Sequence, residues 1–132
     1  MYRQHASHYK RQEIQTASPG KIVVMLFDGA IKNLNTAEKA YENKDYKQKS
    51  TALVKVQDII LELMNALNNK QGGDIAARLE SLYSYALRRL IDADLNKDKI
   101  AIREVREILS EIREAFAEIV HNNHGTENLK TG

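Results

Sequence analysis

Apolar residues recur along this chain at the spacing of a helix, in four stretches separated by short polar breaks. At about 100° per residue the apolar positions of each stretch collect on one face. The first stretch, Pro19 to Tyr41, brings Ile22, Val23, Leu26, Phe27, Ala30, Leu34, Ala37 and Tyr41 together, with Asn33 intruding near the middle. A buried Asn needs hydrogen-bond partners, and in a helical bundle it commonly sets register. The second stretch runs from Asp45 to Leu67, with Leu53, Val56, Ile59, Ile60, Leu63, Met64 and Leu67 as its core face. The third, Asp74 to Leu95, offers Ile75, Leu79, Leu82, Tyr83, Ala86, Leu90 and Ala93. The fourth is the cleanest. From Lys99 to His121 it sets Ala101, Ile102, Val105, Ile108, Leu109, Ile112, Phe116, Ile119 and Val120 opposite Arg103, Glu104, Arg106, Glu107, Glu111, Glu114 and Glu118. Arg103 and Glu107 have the i,i+4 spacing of an ion pair, in the weaker orientation.

The breaks carry helix punctuation. Ser18 is a good N-cap and Pro19 suits the first helical position, where its missing N–H costs nothing. Asn43-Lys44-Asp45 and Asn96-Lys97-Asp98 form two turns, and Asp45 with Gln48 has capping-box spacing. Gly72-Gly73 allows the left-handed backbone that ends a helix and turns the chain. Helices of this length joined by short loops pack as antiparallel neighbours. The expected fold is therefore all-α: an antiparallel up-down four-helix bundle over residues 18–121. A short N-terminal arm, 1–17, precedes it, and a polar, flexible C-terminal tail, 122–132, follows.

Composition narrows the function by exclusion. Basic and acidic residues are interleaved, 20 against 18, for a net charge of +2. A nucleic-acid binder would show a stripe or arm of one sign, so no nucleic-acid partner is expected. No apolar run approaches the roughly 20 residues of a membrane span, and the N-terminus lacks the apolar segment of a signal peptide. No membrane insertion and a cytoplasmic location are expected. The absence of cysteine rules out disulfides, thiolate metal sites and thiol catalysis. A di-metal bundle needs two Glu-x-x-His pairs pointing inward. The single pair here, Glu118 with His121, starts on the polar face. No phosphate loop or catalytic triad spacing is present. The expectation is a non-enzyme with no metal and no cofactor.

Surplus apolar residues remain. Val24 with Ile31, Val54 with Leu61, and Leu87 with Ile91 and Leu95 lie beside the core stripes, whereas the fourth helix shows no such surplus. They either widen buried helix–helix contacts or form exposed apolar grooves for a partner's amphipathic helix. In the arm, Tyr9 and Ile14 pose the same choice between a frayed terminus and a docking segment.

Tyr9, Ile14, Thr16-Ala17-Ser18-Pro19 and Leu26-Phe27-Asp28-Gly29-Ala30 resemble the N-terminal signature of the FliS family of flagellar secretion chaperones. Val56 to Leu63, the Gly72-Gly73 turn leading to Leu82-Tyr83-Ser84-Tyr85, and Val105 to Arg113 extend the resemblance over nearly the whole chain. Phe27 stands where the family usually has Tyr, and Phe116 where Trp is common. The resemblance implies a cytoplasmic four-helix chaperone that binds the disordered C-terminal segment of flagellin, blocks premature polymerisation and delivers it to the flagellar type III export gate protein, without a nucleotide. It also implies that the arm can occupy part of the client surface, with Tyr9 and Ile14 near the export-gate contact. Val54, Leu61, Leu87 and Ile91 are then the expected lining of the flagellin groove, because their helices are sequential neighbours. A helical regulator of a non-flagellin partner is the alternative.

Overall fold

A computed structural model describes residues 19–68 and 73–131, with side chains described for 19–67 and 73–122. Ser18, Gly72, Tyr9 and Ile14 lie outside the described residues. Four helices follow one another: α1 (Pro19–Glu42), α2 (Tyr46–Asn68), α3 (Asp74–Leu95) and α4 (Lys99–Thr131). Each packs on two neighbours, giving a closed ring in the order α1, α2, α3, α4. α3 is held least closely. The fold is the expected four-helix bundle.

The core follows the helical periodicity. Phe27, Ala30, Leu34, Leu53, Val56, Ile60, Tyr83, Ala86, Leu90, Ile102, Val105 and Leu109 are all buried. Phe27 sits at the centre, its ring centroid 6.4 Å from that of Tyr83 and 5.8 Å from that of Phe116. Such tilted aromatic pairs add to the burial of their area. Asn33 donates from Nδ2 to the Gly29 carbonyl at 2.8 Å, so its amide finds a partner within its own helix. A Cβ on Gly20 would lie 2.7 Å from Val120 Cγ2, so glycine lets the start of α1 meet α4 closely.

The two Asn-Lys-Asp turns are built alike and lie at the same end of the bundle. Lys44 and Lys97 both take the left-handed conformation, at φ 61° and 53°. At the first turn the Asp45 N–H donates to the Ala40 carbonyl at 2.8 Å and the Lys44 N–H to the Tyr41 carbonyl at 3.1 Å, the paired bonds of a Schellman ending. Each Asp then caps the next helix. Asp45 accepts from the Gln48 N–H at 3.2 Å, and Asp98 from the Ala101 N–H at 3.1 Å. Gly73 is extended, at φ 165°, a conformation open to any residue. The left-handed positions among the described residues thus fall to two lysines. A side chain there costs about 1 kcal/mol or more. Lys44→Gly should therefore raise stability by about 0.5–1 kcal/mol after the entropy that glycine adds to the unfolded chain. An unchanged or lowered unfolding midpoint in urea would contradict this.

Four expectations need correction. α4 continues past His121 to Thr131, because a formed helix propagates cheaply and one glycine, Gly125, weakens it without ending it. Ile75, Leu82 and Ile119 share the face of the core positions yet are exposed. Periodicity fixes a face, but no neighbouring helix reaches far enough to cover these three. The fourth helix, expected to carry no surplus, has one in Ile100, which is exposed beside its stripe. Finally, Arg103 pairs with Glu38 of α1 at 2.6 Å. Glu38 is mostly buried and is also held by Arg106, whereas Glu107 stands in water.

Candidate apolar grooves beside the third helix

The four seams between neighbouring helices differ in how they are closed. The α1/α4 seam is bound by charge along its length. Glu38 accepts from Arg103 at 2.6 Å and from Arg106 at 2.8 Å, Asp28 accepts from Arg113 at 2.9 Å, and Glu42 from Lys99 at 2.9 Å. The hydrogen bonds from Arg103 and then Arg106 hold the Glu38 carboxyl below the usual carboxylate range. Its stabilising contribution is present above the unfolded value of about 4.3 and is lost as pH falls through the lower folded value. Glu38→Gln should accordingly flatten the loss of stability on acidification, as measured by denaturant unfolding across that range. An unchanged acid slope would refute the assignment.

Val24 and Ile31, on the α4 side of α1, are half-buried, and Ile31 packs against the core. They widen a buried contact. The α1/α2 seam is closed over most of its length, with a shallow apolar cleft lined by Ile22, Met25, Leu26, Gly29 and Ile59.

The two seams beside α3 are pinned at one end and open at the other. Lys49 of α2 is 2% exposed, and its ammonium reaches the end of α3. It donates to the Ala93 carbonyl at 3.3 Å and the Asp94 carbonyl at 3.1 Å, with the Asp94 carboxylate 3.8 Å away. A cation there meets the negative end of the helix dipole and fills two carbonyls left without intrahelical donors. Tyr46 and Tyr41 flank the ammonium, with ring centroids 5.5 and 6.0 Å away. Next to it Ser50 donates to the Asp94 carboxylate. On the other side, Arg89 of α3 lies between Asp92, Asp98 and Glu104, at 3.3, 3.4 and 3.6 Å. The Glu104 carboxylate beside Tyr85 holds the phenol above its ordinary pKa.

The Ser50–Asp94 contact fixes what lines the α2/α3 seam. At about 100° per residue, Val54 and Leu61 lie within about 40° of the Ser50 line on α2. Ile91 and Leu87 lie within about 60° of the Asp94 line on α3. Because the helices run antiparallel, Val54 is level with Leu90 and Ile91, and Leu61 is level with Tyr83 and Ser84. All four expected residues therefore border one seam. Val54, Leu61 and Ile91 are 48%, 53% and 47% exposed. Leu87 differs. It is half-buried against the core and forms the floor between them. Leu61, with Glu62, Met64 and Asn65, also borders a shallow open depression at the far end.

The same reasoning from the Arg89–Glu104 contact gives a second open seam that the sequence reading did not contain. Leu82, Tyr85 and Ile75 lie along the Arg89 line of α3, and Ile108, Ala115 and Ile119 along the Glu104 line of α4. Its signal in the sequence was the width of the third apolar stripe, which extends further than one neighbouring helix can cover.

Among the described residues no group of His, Asp and Glu is placed to hold a metal ion, and no helix is long and apolar enough to cross a membrane. Glu118 and His121 are both exposed. What the fold offers chemically is surface: apolar seams, shallow and long, flanked by polar lips. These features define a helical-bundle protein with open apolar seams between its helices.

Comparison with known proteins agrees with that class and narrows it. The family described as "Flagellar protein FliS" matches residues 1–123. The flagellar secretion chaperone FliS of Salmonella typhimurium is 42% identical over 107 residues, covering 80% of this chain and 79% of the relative. That of Bacillus subtilis is 32% identical over 114 residues, 86% and 84% of the two chains. That of Vibrio cholerae is 33% identical over 120 residues, 91% and 88%. The chain belongs to the FliS family of flagellar secretion chaperones, which is not an enzyme family, and its role is that of a flagellar export chaperone.

Proposed function

We propose that the client of this chaperone is the C-terminal segment of flagellin, held as amphipathic helix along the α2/α3 seam in the bacterial cytoplasm. The observation that carries the proposal is the exposed line of Val54, Leu61 and Ile91 over Leu87, next to the polar clamp at Lys49, Ser50 and Asp94. Apolar side chains half exposed along a seam lose water when a second apolar face covers them, at about 25 cal/mol per Å². A client that is disordered when free orders on binding, at an entropic cost that a long contact offsets. Covering its apolar face also prevents that face from meeting other flagellin chains, which stops premature polymerisation. The bound client is then delivered to the flagellar export gate protein, with the arm at Tyr9 and Ile14 near that contact.

Hydrogen exchange tests where the client sits. Addition of the flagellin C-terminal segment should slow amide exchange across residues 54–61 and 87–91 more than across the ion-paired face of α1. Protection that spares both segments would place the client elsewhere.

A further inference from the structure

We propose that the α3/α4 seam is a second docking groove, for an amphipathic helix of a separate protein that carries lysine or arginine along the flank facing α4. The inference does not rest on the identity of the client. It rests on the shape and charge of this seam.

The Arg89 cluster closes one end. Beyond it the helices present apolar side chains that no helix among the described residues covers. Leu82, Tyr85 and Ile75 are exposed on α3, and Ile119 is exposed on α4. Leu79, Ile108 and Ile112 form a half-buried floor. Antiparallel register from Arg89 and Glu104 sets Ile108 level with Tyr85, Glu111 level with Leu82, and Glu118 level with Ile75. The open stretch spans about three helical turns, about 15 Å, enough for a short helix.

Only the α4 lip carries a run of one sign. On α4, Glu107, Glu111 and Glu118 are exposed, and all lie within about 60° of the Glu104 line. None of the three has an ion-pair partner among the described residues, whereas Glu104, Glu38 and Asp28 all do. On α3 the lip carries Arg78 and Asp74, both exposed and opposite in sign. A helix seated between these lips gains attraction when its α4-facing flank is basic and repulsion when that flank is acidic. The α2/α3 seam has no such wall. Lys47 and Asp58, opposite in sign, stand nearest its α2 lip. The two grooves beside α3 therefore select different partners. A second copy of this chain fits poorly, because its own α4 would bring glutamates against glutamates.

The test uses the full chain and two synthetic amphipathic helices with the same leucine face, one with a lysine flank and one with a glutamate flank. Fluorescence anisotropy should show saturable binding of the lysine peptide, at least about tenfold tighter than the glutamate peptide and weakened by salt. Glu111→Lys with Glu118→Lys should invert that preference. Leu82→Ser should weaken both peptides while circular dichroism stays unchanged, and Leu61→Glu with Ile91→Glu should leave both affinities alone. Equal affinity for the two peptides, or a preference that survives the double lysine substitution, would overturn the proposal. Competition by the flagellin C-terminal segment would also overturn it, by making the client the occupant. Tighter peptide binding after removal of residues 1–17 would do the same, by making the chain's own arm the occupant.

Discussion

Replacing Leu61 and Ile91 together with glutamate should abolish flagellin binding and leave the helix content intact. Leu61 is 53% exposed and Ile91 47%, so in the free chaperone either carboxylate reaches water. Surface substitutions of this kind move stability by about 0.5 kcal/mol or less. With the client seated, the same carboxylates are buried against an apolar face without partners. Each unpaired polar group then costs about 1–3 kcal/mol and an ionised one more. At about 1.4 kcal/mol per factor of ten, the pair should weaken binding by about a thousandfold. Ile119→Glu is the matched control. It puts one charge on an equally exposed apolar side chain in the α3/α4 seam, and flagellin affinity should hold. Unchanged affinity in the double variant, with the control also silent, would remove the α2/α3 seam from the account.

The second large effect concerns Lys49. Lys49→Ala should lower stability by about 3 kcal/mol, since breaking a buried ion pair and its hydrogen bonds leaves partners stranded. Here those partners are the Ala93 and Asp94 carbonyls at the end of α3 and, in part, the Asp94 carboxylate. Lys49→Met separates packing from charge. It keeps the aliphatic stem between Tyr41 and Tyr46 but supplies no donor. It should recover only a minor part of the loss. Denaturant unfolding of the three chains gives the answer directly, and a Met variant as stable as the parent would show that the cap contributes nothing. The variants bear on function as well. Lys49 and Ser50 hold the end of α3 against α2, so releasing them should loosen the seam and weaken the client before the bundle itself unfolds.

The sequence made the bundle legible for a plain reason: one apolar stripe per helix, cut by Pro19, two Asn-Lys-Asp turns and a Gly-Gly turn, leaves few alternatives. The same stripe could not tell covered positions from uncovered ones. Ile75, Leu82 and Ile119 share the spacing of Tyr83, Leu90 and Leu109, and only the loose hold on α3 separates the two groups. Spacing within one helix also misassigned Arg103, whose nearest carboxylate belongs to another helix. Lys49 was readable in principle. It stands four and seven residues before Leu53 and Val56, squarely on a buried face, where a lysine requires a partner. The four expected groove residues fall on the sides of α2 and α3 nearest the Ser50–Asp94 contact, because heptad spacing puts Val54 with Leu61 on one line and their helices are neighbours.

The most direct measurement is calorimetric titration of the full chain with a peptide covering the flagellin C-terminal segment, with circular dichroism on the same mixture. Saturable one-to-one binding, a negative heat-capacity change from buried apolar surface and a gain in helix as the client orders are expected. No heat and no added helix at tens of micromolar (about 6 kcal/mol of affinity) would contradict the proposed client.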